Sequence, residues 1–291
     1  MSKRFSGLFL ILSVLASCTQ NNVTEDDSLK QYFDAAGVTG TFGMFDNGQG
    51  HFTIYNLKRF RDSAYLPAAT FDIIQSLVGI QTGVVNNDST LMIDSALFAD
   101  VHSGSRPDSV VMKASHLPTD SESCLSPMMS LGAAFHHSCT KAFQGLSRRI
   151  GKDTLKKWID SLSYGNKDIS SAVDTFWLDN HLTITADEQL GLMKKLYFDQ
   201  LPFFARSQKV VRQMMLREGN SNYQLSYKTG TGVRKDGHTL TWITGWIEEN
   251  KHLYFFVLNL DTTDAGKDLK DKGLGIARQI LQKMGFFEGK K

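Results

Sequence analysis

The stretch Pro67 to Val85, PAATFDIIQSLVGIQTGVV, starts a segment that is apolar on most faces: Phe71, Ile73, Ile74, Leu77, Val78, Ile80 and Val84. A helix apolar nearly all round belongs in a core. The backbone N–H groups at its start, around Ala69 and Thr70, favour negative charge, so they could hold an anion or a developing oxyanion. The segment is also built like a helix that presents a nucleophile. Yet Ala69 brings a methyl group, and Asp72 brings a carboxylate where the chemistry would use an amine. That carboxylate, one turn from Ala69, opposes an anion at the helix start, and Asp72→Asn is expected to relieve the opposition. Metal chemistry has no matching pattern. No Cys–His spacing suggests zinc, and His136 and His137, adjacent on an expected helix, point in different directions. No metal and no cofactor are expected.

These residues need elements to hold them. TGTFGMFDNGQGHFTIYN has two β-prone runs around Asp46-Asn47-Gly48, a hairpin signal. TLTWITGWIEENKHLYFFVLNLD supplies a second hairpin with its polar turn at Glu248 to Lys251, and NYQLSYKTG a strand just before it. Between these regions, Phe71 to about Val211 reads as mostly helical, with apolar residues at helical spacing in AFQGLSRRIG, KDTLKKWIDSLSY and TADEQLGLMKKLYF. Thr185 and Glu188 form a capping box at the start of the last of these. KGLGIARQILQKMGFF reads as a terminal helix. The expected fold class is α+β: an antiparallel sheet built from both termini, with an inserted helical subdomain.

The chain has 291 residues and a formal net charge of +2, with no basic run interleaved with aromatics. A nucleic-acid partner is not expected. MSKRFSGLFLILSVLASC has Lys3 and Arg4, an apolar run shorter than the roughly 20 residues that span a bilayer, and small residues before Cys18. Residues 1–17 read as a signal peptide, 18–30 as a polar tether and 31–291 as the folded domain. Leu15-Ala16-Ser17-Cys18 resembles a bacterial lipobox, which implies cleavage before Cys18, lipidation of its sulfur, and a lipoprotein of the cell envelope facing the periplasm or outer surface. A plain secreted protein is the alternative. Cys124 and Cys139 could pair in such a compartment, although a buried free thiol is the expectation for Cys139.

Several stretches, in order, resemble the class D serine β-lactamases: PAATFDII, HHSCTKAFQGLSRRIG, SYGNKDIS, FWLDNHLTITADEQ, YKTGTG and TGWIE followed by YFFVLNLD. The sensor domains of β-lactam receptors and the transpeptidase domains of penicillin-binding proteins are related to them. The resemblance covers about Phe42 to the C-terminus. It implies acyl transfer through a serine, with a carbamylated lysine as base and two backbone N–H groups holding the oxyanion. The family motif S-T-F-K reads A-T-F-D here, so Ala69 replaces the nucleophile and Asp72 the base. The resemblance makes Ser138 the proton-shuttling serine of the second motif, with Thr140 in place of the usual valine. Lys228, Thr229 and Gly230 match the third motif. Lys228 would supply positive potential, Thr229 would contact a ligand carboxylate, and the N–H of Thr231 would share the oxyanion hole with that of Ala69. Trp177 corresponds to the tryptophan over the modified lysine, and without that lysine core packing is its alternative role. Tyr164-Gly165-Asn166 read as structural. Lys267, Lys270 and Lys272 are candidates to hold a substrate carboxylate, and none aligns convincingly.

The function implied is a lipid-anchored pseudoenzyme that binds β-lactams, peptidoglycan stem peptides or a partner without acylation. The alternatives are residual hydrolysis by an Asp72-activated water and an envelope protein with a vestigial cleft.

Overall fold

In the computed structural model, which describes residues 22–92, 124, 129–264 and 268–291, both hairpin signals become strands. Asp46 ends β2 (Thr39–Asp46), and its carboxylate accepts from the N–H of Gly48 at 2.8 Å and of Gln49 at 3.0 Å, turning the chain into β3 (His51–Tyr55). Asn250 and Lys251, at φ 51° and 67°, make a two-residue turn between β8 (Thr239–Glu249) and β9 (His252–Thr262). A turn with both residues left-handed matches the twist of the strands it joins. With β1 (Val23–Glu25), β6 (Leu216–Gly219) and β7 (Tyr223–Val233), these strands form a seven-stranded sheet of order β1-β3-β2-β9-β8-β7-β6. A small second sheet pairs β4 (Ala64–Tyr65) with β5 (Ile184–Thr185).

The fold class is α+β, but the sheet is mixed. β1 lies parallel to β3, and Leu29, just after it, is 0% exposed in the core. Val23–Leu29, expected within the tether that ends at residue 30, therefore pack as part of the fold. VTE is too short and polar to announce a strand; it pairs because β3 offers an open edge.

Helices cover both faces. On one side, α1 (Lys30–Ala36) and α9 (Leu269–Lys283) pack on the sheet through Phe33, Ile276 and Ile280. On the other lies the helical insertion: α2 (Leu57–Asp62), α3 (Asp72–Gln81), α4 (Leu131–His137), α5 (Thr140–Ile150), α6 (Lys152–Leu162), α7 (Ala186–Tyr197) and α8 (Ala205–Met215). α3 runs through the core, with Ile73, Ile74, Leu77 and Val78 at 0% exposure, each contributing on the order of 2 kcal/mol by burial. The capping box forms as expected, Thr185 Oγ1 accepting from Glu188 N while Glu188 Oε2 accepts from Thr185 N. Among the described residues no helix is long and apolar enough to cross a membrane. The signal segment and Cys18 lie outside the described residues.

Cys124 and Cys139 form a disulfide, which corrects the expectation of a free thiol. Burial of Cys139 does not distinguish the two, because a disulfide is itself apolar, and the Cα atoms stand 5.4 Å apart, within bridging range. Cys139 directly follows Ser138, so the bridge ties down the turn that carries this serine. Closing a loop of 15 residues is worth about 3 kcal/mol in the chain-entropy account. Cys139→Ser is expected to lower the urea midpoint and, by letting the unfolded chain expand, to raise m somewhat; an unmoved midpoint would show that the bridge contributes nothing to stability.

Candidate functional site

The site begins with a single 3-10 turn, Ala68–Phe71, that feeds directly into α3. Ala68 is left-handed at φ 48°, a conformation that costs energy for a residue with a Cβ, and its N–H donates to the Trp177 carbonyl at 3.1 Å. The Thr70 hydroxyl donates to the Pro67 carbonyl at 2.7 Å and accepts from Gln189 Nε2 at 2.8 Å. Phe71 is wedged among Tyr164, Phe176 and Trp177, with ring centroids 5.3 to 5.7 Å away. The turn is thus fixed from three sides, and from Leu66 to Asp72 only Ala69 is not fully buried.

β7 lies against this turn. A Cβ on Gly230 would stand 2.7 Å from Thr70 N and 2.9 Å from Ala69 N, so only glycine lets the strand approach this closely. The same approach brings Lys228 to α3. Its Nζ is 2.9 Å from Asp72 Oδ2, with side-chain exposures of 0% and 3%. It also donates to Ser138 Oγ at 2.6 Å and to the Thr229 carbonyl at 3.3 Å, and lies 5.0 Å from the centre of the Phe135 ring. Two of the three ammonium donors make hydrogen bonds inside the protein, and the Asp72 carboxylate faces the group as an ion pair. Ser138 caps α4 in a left-handed conformation, φ 57°, which aims its hydroxyl at Lys228.

Burial pushes Lys228 down to about 8 although Asp72 pulls the other way; the charges of Arg217 and Lys270 push in the same direction as burial. Arg217 donates to His136 Nδ1 at 2.6 Å, and burial together with that guanidinium holds His136 below the usual imidazole range.

The structure therefore brings Asp72, Ser138 and Lys228 into contact and sets Gly230 against Ala69. Thr229 is buried, and the Thr231 hydroxyl pairs with that of Thr241 at 2.8 Å across the sheet. Trp177 is 1% exposed and packs in the aromatic cluster rather than lining an open surface. Asn166 donates to the His181 carbonyl at 2.7 Å and accepts from Thr183 N at 3.0 Å, and a Cβ on Gly165 would meet the Thr183 carbonyl at 2.0 Å. The Tyr-Gly-Asn segment thus clamps a loop. Of the three candidate lysines, Lys270 is exposed at the start of α9 within electrostatic reach of Lys228, while Lys267 lies outside the described residues. Arg217 escaped the sequence reading because nothing in its own neighbourhood marks it; it reaches the site from β6 only in three dimensions. Among the described residues no group of three or more His, Cys, Asp or Glu could hold a metal ion.

A buried helix start facing a lysine on the strand of a large sheet, with a serine between them, is the frame of the penicillin-recognising fold. The chain belongs to the penicillin binding protein transpeptidase domain family, whose profile it matches over residues 42–283. It is 30% identical to β-lactamase OXA-48 of Klebsiella pneumoniae over 96% of this chain and 95% of that one. Among solved structures it is similar to FUS-1 (OXA-85), a class D β-lactamase of Fusobacterium nucleatum subsp. polymorphum, with a TM-score of 0.78 and 28% identity, covering 91% of this chain and 100% of that one. It is also similar to the C-terminal domain of the Bacillus licheniformis BlaR penicillin-receptor, with a TM-score of 0.75 and 25% identity, covering 92% of this chain and 98% of that domain.

Proposed function

We propose that this chain is a non-acylating member of its family: a lipoprotein of the bacterial cell envelope, anchored at Cys18, that binds β-lactams or peptidoglycan stem peptides reversibly. The observation that carries this reading is the pairing of Asp72 with Lys228 beneath a methyl-bearing Ala69. The atom that would attack is absent, and the anion that stands where the base would be is committed to the lysine opposite. The similarity to a penicillin receptor supports a role in recognition. The N–H groups of Ala69 and Thr231 would hold a ligand carbonyl, Thr229 would contact its carboxylate, and Lys270 would attract that carboxylate. Hydrolysis through an Asp72-activated water draws no support from a carboxylate that is 2% exposed and salt-bridged.

A fluorescent penicillin should leave no label on the denatured protein, while calorimetry on the native protein should register weak, reversible binding. A labelled peptide containing Ser138, whose hydroxyl is in contact with Lys228, would overturn the reading. Binding should depend on pH in one direction. Below about 8 the Asp72–Lys228 pair is neutral as a whole; above it, loss of the lysine proton leaves a net negative charge under the ligand. Affinity for a carboxylate ligand should therefore fall as pH rises from 7 to 9, and a constant or rising affinity would exclude Lys228 from the site.

The anchor is tested separately. Cys18→Ala should move the protein from the membrane fraction to the soluble one, and a wild-type protein that is already soluble and unacylated would remove the anchor from this proposal.

A further inference from the structure

β6 departs from a regular ladder at one residue. Leu216 pairs with Ser226 and Glu218 with Leu225, so two steps along β6 answer one along β7, and Arg217 is the extra residue between them. A bulge of this kind takes a side chain out of the ladder and re-aims it. Beyond Ser226, β7 pairs with β8 alone among the described residues, and the free edge that follows meets the Ala68–Phe71 turn at Gly230. Arg217 closes the near end of that edge, its Nε donating to the Tyr227 carbonyl at 3.1 Å.

Its Nη1 is held as well, by His136 Nδ1 at 2.6 Å and the His136 carbonyl at 3.3 Å. A ring nitrogen that faces a guanidinium can only accept, so His136 acts as a neutral holder. The Nη2 donors take no part in these bonds. What the guanidinium lacks is an anion. It is only partly exposed, and among the described residues it makes no ion pair; Glu218 beside it is taken by Arg278 at 2.6 Å. Arg217 also lies within electrostatic reach of Lys228, whose carboxylate partner is Asp72. Two cations thus share one anion at this end of the cleft, an imbalance that a bound carboxylate would remove. The order along β7 agrees. With the Thr231 N–H on a ligand carbonyl and Thr229 at its carboxylate, Tyr227 comes next in the same direction, about 7 Å further along the strand.

We propose that Arg217, aimed by the bulge and held by His136, is the residue that binds the ligand carboxylate directly, with Lys270 acting only at longer range. The proposal rests on reading the cleft as a site for β-lactams or stem peptides. A planar guanidinium matches a carboxylate better than an ammonium does, and it discriminates strongly against a neutral ester. The probes are benzylpenicillin and its methyl ester, followed by calorimetry on the mature full-length protein. Wild type should prefer the acid by about tenfold or more. Arg217→Gln should abolish that preference while leaving the affinity for the ester unchanged, and Arg217→Lys should restore only part of it. Lys270→Ala should keep it. If the preference survives Arg217→Gln, or is lost in Lys270→Ala instead, the proposal is overturned while the reading of the cleft stands. A second measurement needs neither a variant nor a β-lactam: nitrogen-15 NMR of the arginine Nε–H groups during titration with sodium propionate. The Arg217 signal should shift saturably, and an unmoved signal overturns the proposal. A saturable shift in a protein that binds neither penicillin would support the carboxylate site and remove the β-lactam reading alone.

Discussion

Ala69→Ser combined with Asp72→Lys should turn the protein into one that penicillin labels covalently, and the labelling should rise with added bicarbonate. The bicarbonate dependence follows from charge. Asp72 is the carboxylate paired with the buried Lys228 ammonium. A lysine at position 72 would set two ammonium groups against each other in a site that excludes water, at a cost of several kcal/mol. Reaction of the new amine with carbon dioxide gives a carbamate and releases a proton, returning a negative charge opposite Lys228 together with the base that the family's chemistry uses. Ala69→Ser alone has a hydroxyl and no base, and Asp72→Lys alone has no nucleophile, so neither should be labelled. A gain of about 10³ or more over either single variant is the expected scale, since nucleophile and base act as a unit. A double variant that folds yet stays unlabelled at saturating bicarbonate would show that more of the site has been lost than these two side chains.

The second large effect concerns stability. Asp72→Ala would leave the Lys228 ammonium buried without its carboxylate, which typically costs about 3–5 kcal/mol, or roughly 10 °C in Tm for a chain of this size. Asp72→Leu with Lys228→Met removes both charges and should lie within about 1 kcal/mol of wild type. If calorimetry shows the single variant as stable as wild type, the pair is not what joins α3 to β7. The same pair modifies the sequence-based expectation for Asp72→Asn. Asp72 raises the proton affinity of Lys228, so its removal should move the lysine below about 8 and towards neutrality at pH 7, rather than freeing a cation for a ligand.

Much of this was legible from local pattern. The hairpins could be read because Asp46-Asn47-Gly48 and the turn at Asn250-Lys251 interrupt runs of β-branched and aromatic residues, and α7 because Thr185 and Glu188 satisfy each other's backbone donors. The motif order placed Ser138, Lys228 and Ala69 in one region before any coordinates. What could not be read were contacts between residues far apart in sequence. The sequence places Asp72 at the position of the family's base and Lys228 in the third motif, and only the packing of β7 against Ala68–Phe71 shows them as a direct ion pair. Trp177 was ambiguous for the same reason: its type suits both a ligand platform and a core, and burial alone decides. The Cys124–Cys139 bridge needed a distance that spacing does not contain. β1 escaped because three mostly polar residues pair only where a neighbouring edge is already built.

That parallel edge strand sets the length of a leash. With Val23 paired to Phe52, few residues separate the proposed anchor at Cys18 from the sheet. At about 3.5 Å per extended residue, Cys18 and Val23 can be no more than roughly 18 Å apart. A domain held that closely would ride against the bilayer surface with its β1–β3 edge towards the lipid and could not sweep through the cell-wall layer. Whatever it recognises would have to come to the membrane.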